Sequence, residues 1–314
     1  MEIYFDYRKI PPYEGTVITM GNFDGFHLGH QKIVSHTVKM AKKLGLPALV
    51  ITFQPHPRQL FSGDIAVLTP LDKKIDLLWE AGADMILVQP FTKAFAATAP
   101  SQFLEQVLYK ALHCRHIVVG YDYSFGRAGS GDTKLLGMVT GRLGIGCDII
   151  EPVTWGKEII SSTAVRAYLA QGNVEIASSY TGRMFSIRGR VEAGAGRGKK
   201  LGFPTANLYP PRSAALPAFG VYMVKVRIES TEYWGLANVG FHPTFPGNSV
   251  SMEVFIFAYQ GNLYGQMIEV EFFTRLRPEI KFPDADSLKR QIEEDVAAVK
   301  ALLTADNMLK LQRI

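Results

Sequence analysis

Two histidines and a cluster of glycines stand close together near the start of the chain, between Gly21 and Gln31. His27 and His30 are three residues apart, so both side chains lie on one face of the first turn of a helix. An apolar run (16–20) precedes this stretch, and a helical pattern follows it. In that order of strand, glycine-rich turn and helix, backbone N–H groups at the helix N-terminus bind phosphate. The stretch therefore predicts chemistry on the phosphates of a nucleotide.

A zinc site is the alternative interpretation of His27 and His30. Zinc needs further protein ligands. The other histidines are scattered along the chain, and the two cysteines, Cys114 and Cys147, stand alone. The sequence therefore favours phosphate binding over a dedicated metal site.

A second candidate site lies in the later part of the chain, where glycines and lysines lead into a Pro-Thr-Ala-Asn tetrapeptide. Gly196 allows the backbone to approach phosphate closely, and Lys199 and Lys200 supply positive charge. Thr205 and Asn207 carry oxygen atoms of the kind that Mg²⁺ prefers as ligands. Composition alone favours the plainer alternative, a solvated surface loop.

Glu253 is a single carboxylate within an apolar, strand-like run (251–257). Such a residue is usually explained by a position on the exposed face of a strand. On the residues alone, this plain explanation is the favoured one.

Three further segments of the first half also carry groups that could bind a nucleotide. In the first segment, prolines stiffen the turn around His56. In the second, aromatic rings after the fourth predicted strand could stack on a flat ring. In the third, hydroxyls and an arginine begin a helix where a polyphosphate could bind. A rigid loop, aromatic core packing and ordinary helix capping are the plainer explanations. The candidate residues are Phe53, His56, Asp122, Tyr123, Phe125, Ser161, Ser162, Thr163 and Arg166.

Apolar runs and helical patterns alternate over the first half of the chain. Strands are predicted at 16–20, 47–53, 84–88, 115–120 and 147–151, and helices at 28–44, 71–81, 100–112 and 132–143. This alternation predicts an α/β fold with a mostly parallel, doubly wound sheet, in which ligands bind at the carboxyl ends of the strands. The segments that follow the first, second and fourth strands can therefore line one rim.

After about residue 183 the hydrophobic pattern changes to a period of two. Strands are predicted at 185–192, 220–229, 232–240, 251–259 and 266–275, and a terminal helix at 284–303. Closely spaced strands separated by turn residues predict a small antiparallel β-barrel or sandwich. We expect two domains, 1–180 and 183–314, with a linker near 178–183.

Composition predicts an ordinary soluble protein. The 314 residues are enough for two cores, and the hydrophobic and charged contents are 47% and 20%. The chain has no apolar run of about 18 residues and no secretory signal pattern. Isolated cysteines add to the prediction of a cytoplasmic protein. The net charge of +5 suits anionic small molecules about as well as nucleic acid and does not decide between them. We expect small-molecule substrates and no nucleic-acid or membrane partner, and the oligomeric state is open.

Taken together, the segments resemble the bacterial bifunctional riboflavin kinase/FAD synthetases over nearly the whole chain. The first half has GNFDGFHLGH, the signature of the HxGH nucleotidyltransferases, followed in order by FQPHPR, GYDYSFG and ISSTAVR. The second half has LGFPTANL, which matches the riboflavin kinase signature. The resemblance implies an HxGH nucleotidyltransferase domain followed by a barrel with a terminal helix.

The resemblance also implies the reactions: ATP phosphorylates riboflavin to FMN, and AMP is then transferred from a second ATP to FMN, giving FAD and pyrophosphate. His27 and His30 would act on the ATP phosphates, and Glu253 would be the general base for the riboflavin hydroxyl. Mg²⁺ would bind at Thr205 and Asn207. The remaining phosphate-binding residues would be Gly21, Asn22, Phe23, Asp24, Gly29, Ser161, Ser162, Thr163, Arg166, Gly196, Lys199, Lys200 and Thr205. The flavin-binding residues would be Phe53, His56, Asp122, Tyr123, Phe125 and Arg277.

Three positions depart from the family pattern. Gly129 stands where an arginine is usual, and Arg127, two residues earlier, could replace it at the flavin. Phe255 stands where a histidine is common, and His242 where an arginine is usual. None of these departures removes a proposed catalytic group.

Three other functions compete with a bifunctional enzyme. One is an enzyme with a single activity, whose second site only binds. Another is a flavin- or nucleotide-binding regulator without turnover. An adenylyltransferase for a different phosphorylated substrate would leave the barrel unexplained. Two working sites are favoured, because one chain contains the candidate residues of both: His27 and His30 in the first half, and Thr205, Asn207 and Glu253 in the second.

Overall fold

The protein is described from a computed structural model, which covers residues 2–63, 65–194, 196, 198, 201–242 and 249–304. Lys199 and Lys200, predicted to bind phosphate, lie outside the described residues, and His242 is described only as the end of its strand. By its contacts the chain divides into two units, residues 1–162 and 163–314.

A six-stranded parallel sheet forms the first unit, in the order β1-β4-β3-β2-β5-β6. The strands are β1 (Glu2–Tyr4), β2 (Thr16–Met20), β3 (Ala48–Gln54), β4 (Met85–Pro90), β5 (Cys114–Gly120) and β6 (Gly146–Ile150). The prediction of a doubly wound sheet is confirmed. Strand β1 was not predicted, because it has only three residues and a largely exposed side-chain pattern at the edge of the sheet.

Helices connect these strands and cover both faces of the sheet. They are α1 (Leu28–Leu44), α2 (Pro57–Ser62), α3 (Leu71–Glu80), α4 (Lys93–Ala96), α5 (Pro100–Gln102, continued by a π-helical segment, Phe103–Ala111) and α6 (Thr133–Leu143). A short hairpin follows, β7 (Thr154–Trp155) and β8 (Glu158–Ile159). Ile18 and Leu49 pack in one core, whereas Val17 and Val50 pack in the other. The strands are continuously apolar because both of their faces are buried.

The second unit is a closed antiparallel barrel of six strands in the order β10-β13-β12-β11-β14-β9. The strands are β9 (Phe185–Glu192), β10 (Thr205–Leu208), β11 (Gly220–Ile228), β12 (Thr231–His242), β13 (Ser249–Ile256) and β14 (Met267–Pro278). Of the two predicted alternatives, the barrel is therefore correct. Strand β10 was not predicted, because four residues in a segment rich in glycine and proline show too little periodicity.

Three helices complete the second unit: α7 (Ser162–Gln171), α8 (Val174–Thr181) and α9 (Ala285–Leu302). Helix α9 is the predicted terminal helix, and its Val299 packs with Val221, Met223 and Leu236 of the barrel. The backbone N–H of Ala218 donates to Leu169 O (2.8 Å), which ties α7 to the same unit. The segment near 178–183, predicted as a linker, is largely the end of α8, which stops at Gly182 with a left-handed backbone.

Candidate active sites

The loop between β2 and α1 has an unusual backbone. Phe23 and Phe26 have φ of 47° and 38°, and Gly25 has φ of 80°. Residues other than glycine adopt such positive φ values only where the surrounding structure holds their backbone in place. Both phenylalanine rings are buried in the core beside the sheet. The loop is thus held in one shape by its own aromatic side chains.

Asp24 fastens this loop to the chain that leads into α3. Its carboxylate, only 1% exposed, accepts hydrogen bonds from the backbone N–H of Leu68 (3.0 Å) and Thr69 (3.0 Å). In return the N–H of Gly25 donates to Thr69 Oγ1 at 3.0 Å. Since these bonds use the carboxylate to support the loop, Asp24 would act on a phosphate through the backbone that it positions.

His27 caps the N-terminus of α1, as its Nδ1 accepts from the N–H of His30 at 3.4 Å. The two imidazole rings stack, with centroids 3.7 Å apart. A Cβ at Gly29 would lie 3.1 Å from the His27 ring, so glycine allows this ring to lie against the first turn. With Nδ1 as an acceptor, the neutral imidazole of His27 carries its hydrogen on Nε2, where it can donate. The arrangement presents a hydrogen-bond donor at a helix N-terminus.

The segment ISSTAVR begins beside the same loop. Ser162 Oγ, at the first residue of α7, donates to Asp24 O at 2.7 Å. The structure therefore brings Ser162 to the loop that holds His27 and His30, although 138 residues separate Ser162 from Asp24. Thr163 and Arg166 occupy the first turns of α7.

Phe53 and His56 lie at the end of β3, on the same rim of the sheet. His56 is buried and caps α2, its Nδ1 accepting from the N–H of Arg58 at 3.2 Å. The ring of Phe53 meets that of Phe91 edge to face, with centroids 5.5 Å apart, in a cluster that includes Phe95. These contacts make the wall at this end of β3 rigid and aromatic.

Tyr123 and Phe125 pack into the core at the end of β5. Their rings stack with centroids 5.7 Å apart, and burial raises the pKa of the Tyr123 phenol. Asp122 and Arg127, by contrast, are exposed. Gly129 has φ of 66°, a conformation in which an arginine would be strained. In the part of the chain that the structure describes, the guanidinium of Arg127 forms no hydrogen bond, so it can contact a ligand.

Glu253 in the barrel lies between two asparagines on neighbouring strands. In the antiparallel register it is directly opposite Asn207 of β10 on one side and Asn238 of β12 on the other. Directly paired residues point to the same face, with Cβ atoms about 4.5–5.5 Å apart. Asn207, Glu253 and Asn238 therefore form one polar row. The sequence analysis missed Asn238, although a polar residue within the apolar run 236–241 was a usable signal.

Two glycines, Gly194 and Gly198, lie against side chains of the PTAN segment. A Cβ at Gly194 would lie 2.3 Å from Asn207 Nδ2, and one at Gly198 would lie 3.3 Å from Thr205 Oγ1. The glycine-rich chain thus lies directly on the two predicted metal ligands. Asn207 Nδ2 donates to Thr205 O at 3.4 Å, which leaves Oδ1 as the ligand atom.

Aromatic side chains surround this row. The ring of Phe203, just before the PTAN segment, meets that of Phe255 edge to face at 5.3 Å. Phe255, where the family often has histidine, thus packs against the start of the motif. Tyr209 lies near Glu192 and Glu253: burial raises the pKa of its phenol, and the two negative charges raise it further.

Arg277 is held by the terminal helix. Its Nε and Nη2 donate to the carboxylate of Asp295 on α9, at 3.0 and 2.8 Å. The Asp295 side chain is 7% exposed. In the structure, therefore, the guanidinium that was predicted to bind flavin joins α9 to the end of β14.

Replacing Arg277 by methionine should destabilise the barrel by about 3 kcal/mol, because it leaves a buried carboxylate without its cation. The double variant Arg277→Met/Asp295→Leu should recover most of this loss. The measurement is the urea concentration at which riboflavin phosphorylation is lost. Lys225→Met is the matched control, since Lys225 pairs with the exposed Glu232 and its loss should cost less than about 1 kcal/mol. Equal losses for the single and double variants would contradict a buried ion pair.

Both halves of the chain match known families. A family model described as FAD synthetase matches residues 9–164, and one described as riboflavin kinase matches residues 181–303. The bifunctional riboflavin kinase/FMN adenylyltransferase of Haemophilus influenzae is 40% identical over 295 residues, covering 93% of this chain and 96% of the relative. That of Bacillus subtilis is 36% identical over 287 residues, covering 89% and 90%.

A solved structure is similar over nearly the whole chain. It is a crystal structure from Streptococcus pneumoniae, described as a macrolide-efflux protein, with a TM-score of 0.86 and 30% identity over 95% of this chain and 98% of that one. Among the described residues, no helix has the length and apolar character needed to cross a membrane. With an FAD synthetase match in the first half and a riboflavin kinase match in the second, this chain belongs to the family of bifunctional riboflavin kinase/FMN adenylyltransferases.

Proposed function

We propose that this enzyme phosphorylates riboflavin to FMN at the polar row of Asn207, Glu253 and Asn238 in the barrel. We propose further that it adenylylates FMN at the loop between β2 and α1. The observation that carries the proposal is the pair of constellations on one chain. His27 and His30 stand at a helix N-terminus beside Ser162, and Glu253 stands between Asn207 and Asn238. Each constellation has the groups that its reaction requires.

In the kinase reaction the terminal hydroxyl of riboflavin attacks the γ-phosphorus of ATP, and ADP leaves. Glu253 accepts the hydroxyl proton as the oxygen–phosphorus bond forms. The neighbouring asparagines offer amide groups that orient the hydroxyl and the carboxylate. Gly196, Lys199 and Lys200 would hold the ATP phosphates.

Mg²⁺ fits the donor set of the barrel. Thr205 and Asn207 present a hydroxyl and an amide oxygen, and the two glycines beside them leave a space that any Cβ would fill. Mg²⁺ prefers such oxygen ligands and keeps several waters. When bound, it would neutralise charge on the ATP phosphates.

In the transferase reaction an FMN phosphate oxygen attacks the α-phosphorus of ATP, and the bond to the β-phosphate breaks to release pyrophosphate. This site has to position two anionic groups and offset the charge that develops on the leaving group. His27 and His30 donate hydrogen bonds to the phosphates, assisted by the backbone of Gly21, Asn22, Phe23 and Gly29. Ser161, Ser162, Thr163 and Arg166 would hold the β- and γ-phosphates.

The flavin would bind at the ends of β3 and β5. Phe53, His56, Tyr123 and Phe125 form rigid walls there, and Asp122 and Arg127 are exposed side chains able to contact it. In this arrangement Arg127 replaces the arginine that the family has at the position of Gly129. In the barrel, Arg277 would shape the flavin pocket by holding α9 in place.

We assign residues 1–180 to adenylyl transfer and residues 183–314 to the kinase, because the riboflavin kinase match begins at residue 181. We also propose that the enzyme is cytoplasmic. It is supported by two free cysteines, of which Cys114 is buried, and burial raises the pKa of its thiol.

Incubation with riboflavin, ATP and Mg²⁺ should yield FMN first and FAD later. Flavins separated by chromatography over time would show this order, and chelation of Mg²⁺ should stop FMN formation. FMN without FAD would confine activity to the barrel. Absence of both products would contradict the proposed function and favour a binding protein.

A further inference from the structure

A buried lysine lies beneath the loop that carries His27 and His30. Lys74, in the first turn of α3, is 3% exposed. Lysine is almost never buried to this extent without a partner, because removing an ammonium from water costs free energy. A buried cation close to a phosphate-binding loop therefore calls for a physical explanation.

The ammonium is connected to the loop through a threonine. Lys74 Nζ donates to Thr52 Oγ1 at 3.5 Å, and the same hydroxyl donates to Asn22 O at 3.3 Å. The Thr52 hydroxyl thus accepts a hydrogen bond from Lys74 and donates its single hydrogen to Asn22 O. Asn22 belongs to the GNFDG part of the signature. The chain of bonds runs from α3 through β3 to the phosphate-binding loop.

Asp24 is the second connection between Lys74 and the loop. Burial lowers the pKa of the Lys74 ammonium, and the negative charge of Asp24 opposes this effect. Asp24 in turn accepts from the backbone just before α3. The bond from Thr52 to Asn22 O fixes the segment 22–26 to β3, and the bonds of Asp24 fix it to the chain before α3. Within this segment, Phe23 and Phe26 have positive φ values. Strained backbone of this kind persists only where its neighbours over-determine it.

We propose that Lys74 is a positioning residue for adenylyl transfer: through Thr52 and Asp24 it keeps the backbone of 22–26 in the shape that binds the phosphates of ATP. The inference rests on the proposed role of this loop as the ATP site. Lys74 does not have to touch the nucleotide.

The test compares Lys74→Met with Lys73→Met in the conversion of added FMN to FAD. Lys73 is its neighbour on α3, is also buried and has no proposed part in the site. We expect Lys74→Met to raise KM for ATP about tenfold or more, with KM for FMN changed less than about twofold. Lys73→Met should leave both constants near wild type. Riboflavin phosphorylation should be unchanged in both variants.

Thr52→Val keeps the side-chain shape and tests the connection even where Lys74→Met folds poorly. It should raise KM for ATP a few-fold without changing KM for FMN. A merely structural role would lower the apparent kcat through a smaller active fraction and leave KM for ATP unchanged. That pattern, or equal effects of Lys73→Met and Lys74→Met, would overturn the proposal. If the wild-type enzyme itself makes no FAD from FMN and ATP, the proposed function fails rather than the role of Lys74.

Discussion

Glu253→Gln should abolish formation of FMN from riboflavin, with kcat lowered by about 10²–10⁴-fold, the usual contribution of a general base. Glutamine has nearly the same shape as glutamate, but it cannot accept the hydroxyl proton. Conversion of added FMN to FAD should continue at the wild-type rate. Both rates come from one preparation, by separating the flavins after incubation with riboflavin or with FMN.

Glu232→Gln is the matched control for this change. Glu232 lies on a strand of the same barrel, and its carboxylate pairs with Lys225 at 2.9 Å in an exposed position. Its loss should leave FMN formation within about twofold of wild type. If Glu253→Gln removed both activities, the two sites would not be independent. If it removed neither, Glu253 would be an ordinary strand residue.

His27→Asn should remove adenylyl transfer while riboflavin phosphorylation persists. Asparagine is a good N-cap, so the start of α1 stays capped, but the imidazole that is proposed to contact the ATP phosphates is lost. Removing one preorganised donor of this kind lowers kcat by about 10²–10³-fold. His30→Asn should act in the same direction, because the two rings stack on one another. The assay is the rate of FAD formation from FMN and ATP.

His36→Asn is the control for the histidine variants. His36 is further along the same helix and pairs with Asp148 at 2.7 Å, on a partly exposed surface. Its replacement should leave both reactions unchanged. A comparison with His27→Ala separates the two roles of His27, because alanine also removes the cap and should cost about 1 kcal/mol of further stability. Wild-type FAD formation by His27→Asn would exclude the imidazole from the reaction.

The HxGH signature was the most informative feature of the sequence because its parts are local. A strand, a turn and a helix within fifteen residues must place Gly21 to His30 at the end of the strand, whatever the rest of the chain does. Helix α1 begins and ends where the hydrophobic pattern predicted, at Leu28 and Leu44. Five of the six strands of the sheet followed from their apolar runs, and the terminal helix from its helical periodicity, for the same reason.

The contacts of individual polar side chains could not be predicted from local pattern in this way. Asp24 belongs to the signature, yet its carboxylate is turned to Leu68 and Thr69, 44 and 45 residues away. Arg277 was expected to bind the flavin, yet its guanidinium binds Asp295 on the terminal helix. Whether a charged group faces a ligand or a distant backbone depends on which segments surround it, and periodicity carries no information about that.

By itself, the sequence determined the two-part α/β and barrel organisation, the family and the chemical groups available for both reactions. Only the tertiary structure decided which of those groups meet. The register of three barrel strands placed Asn238 beside Glu253, since a shift of one residue would have turned it to the other face. The contact of α3 with β3 placed the ammonium of Lys74 within reach of Thr52, whose hydroxyl bonds to the loop between β2 and α1. Both outcomes depend on contacts between segments far apart in the chain, where each polar group must find a partner once water is excluded.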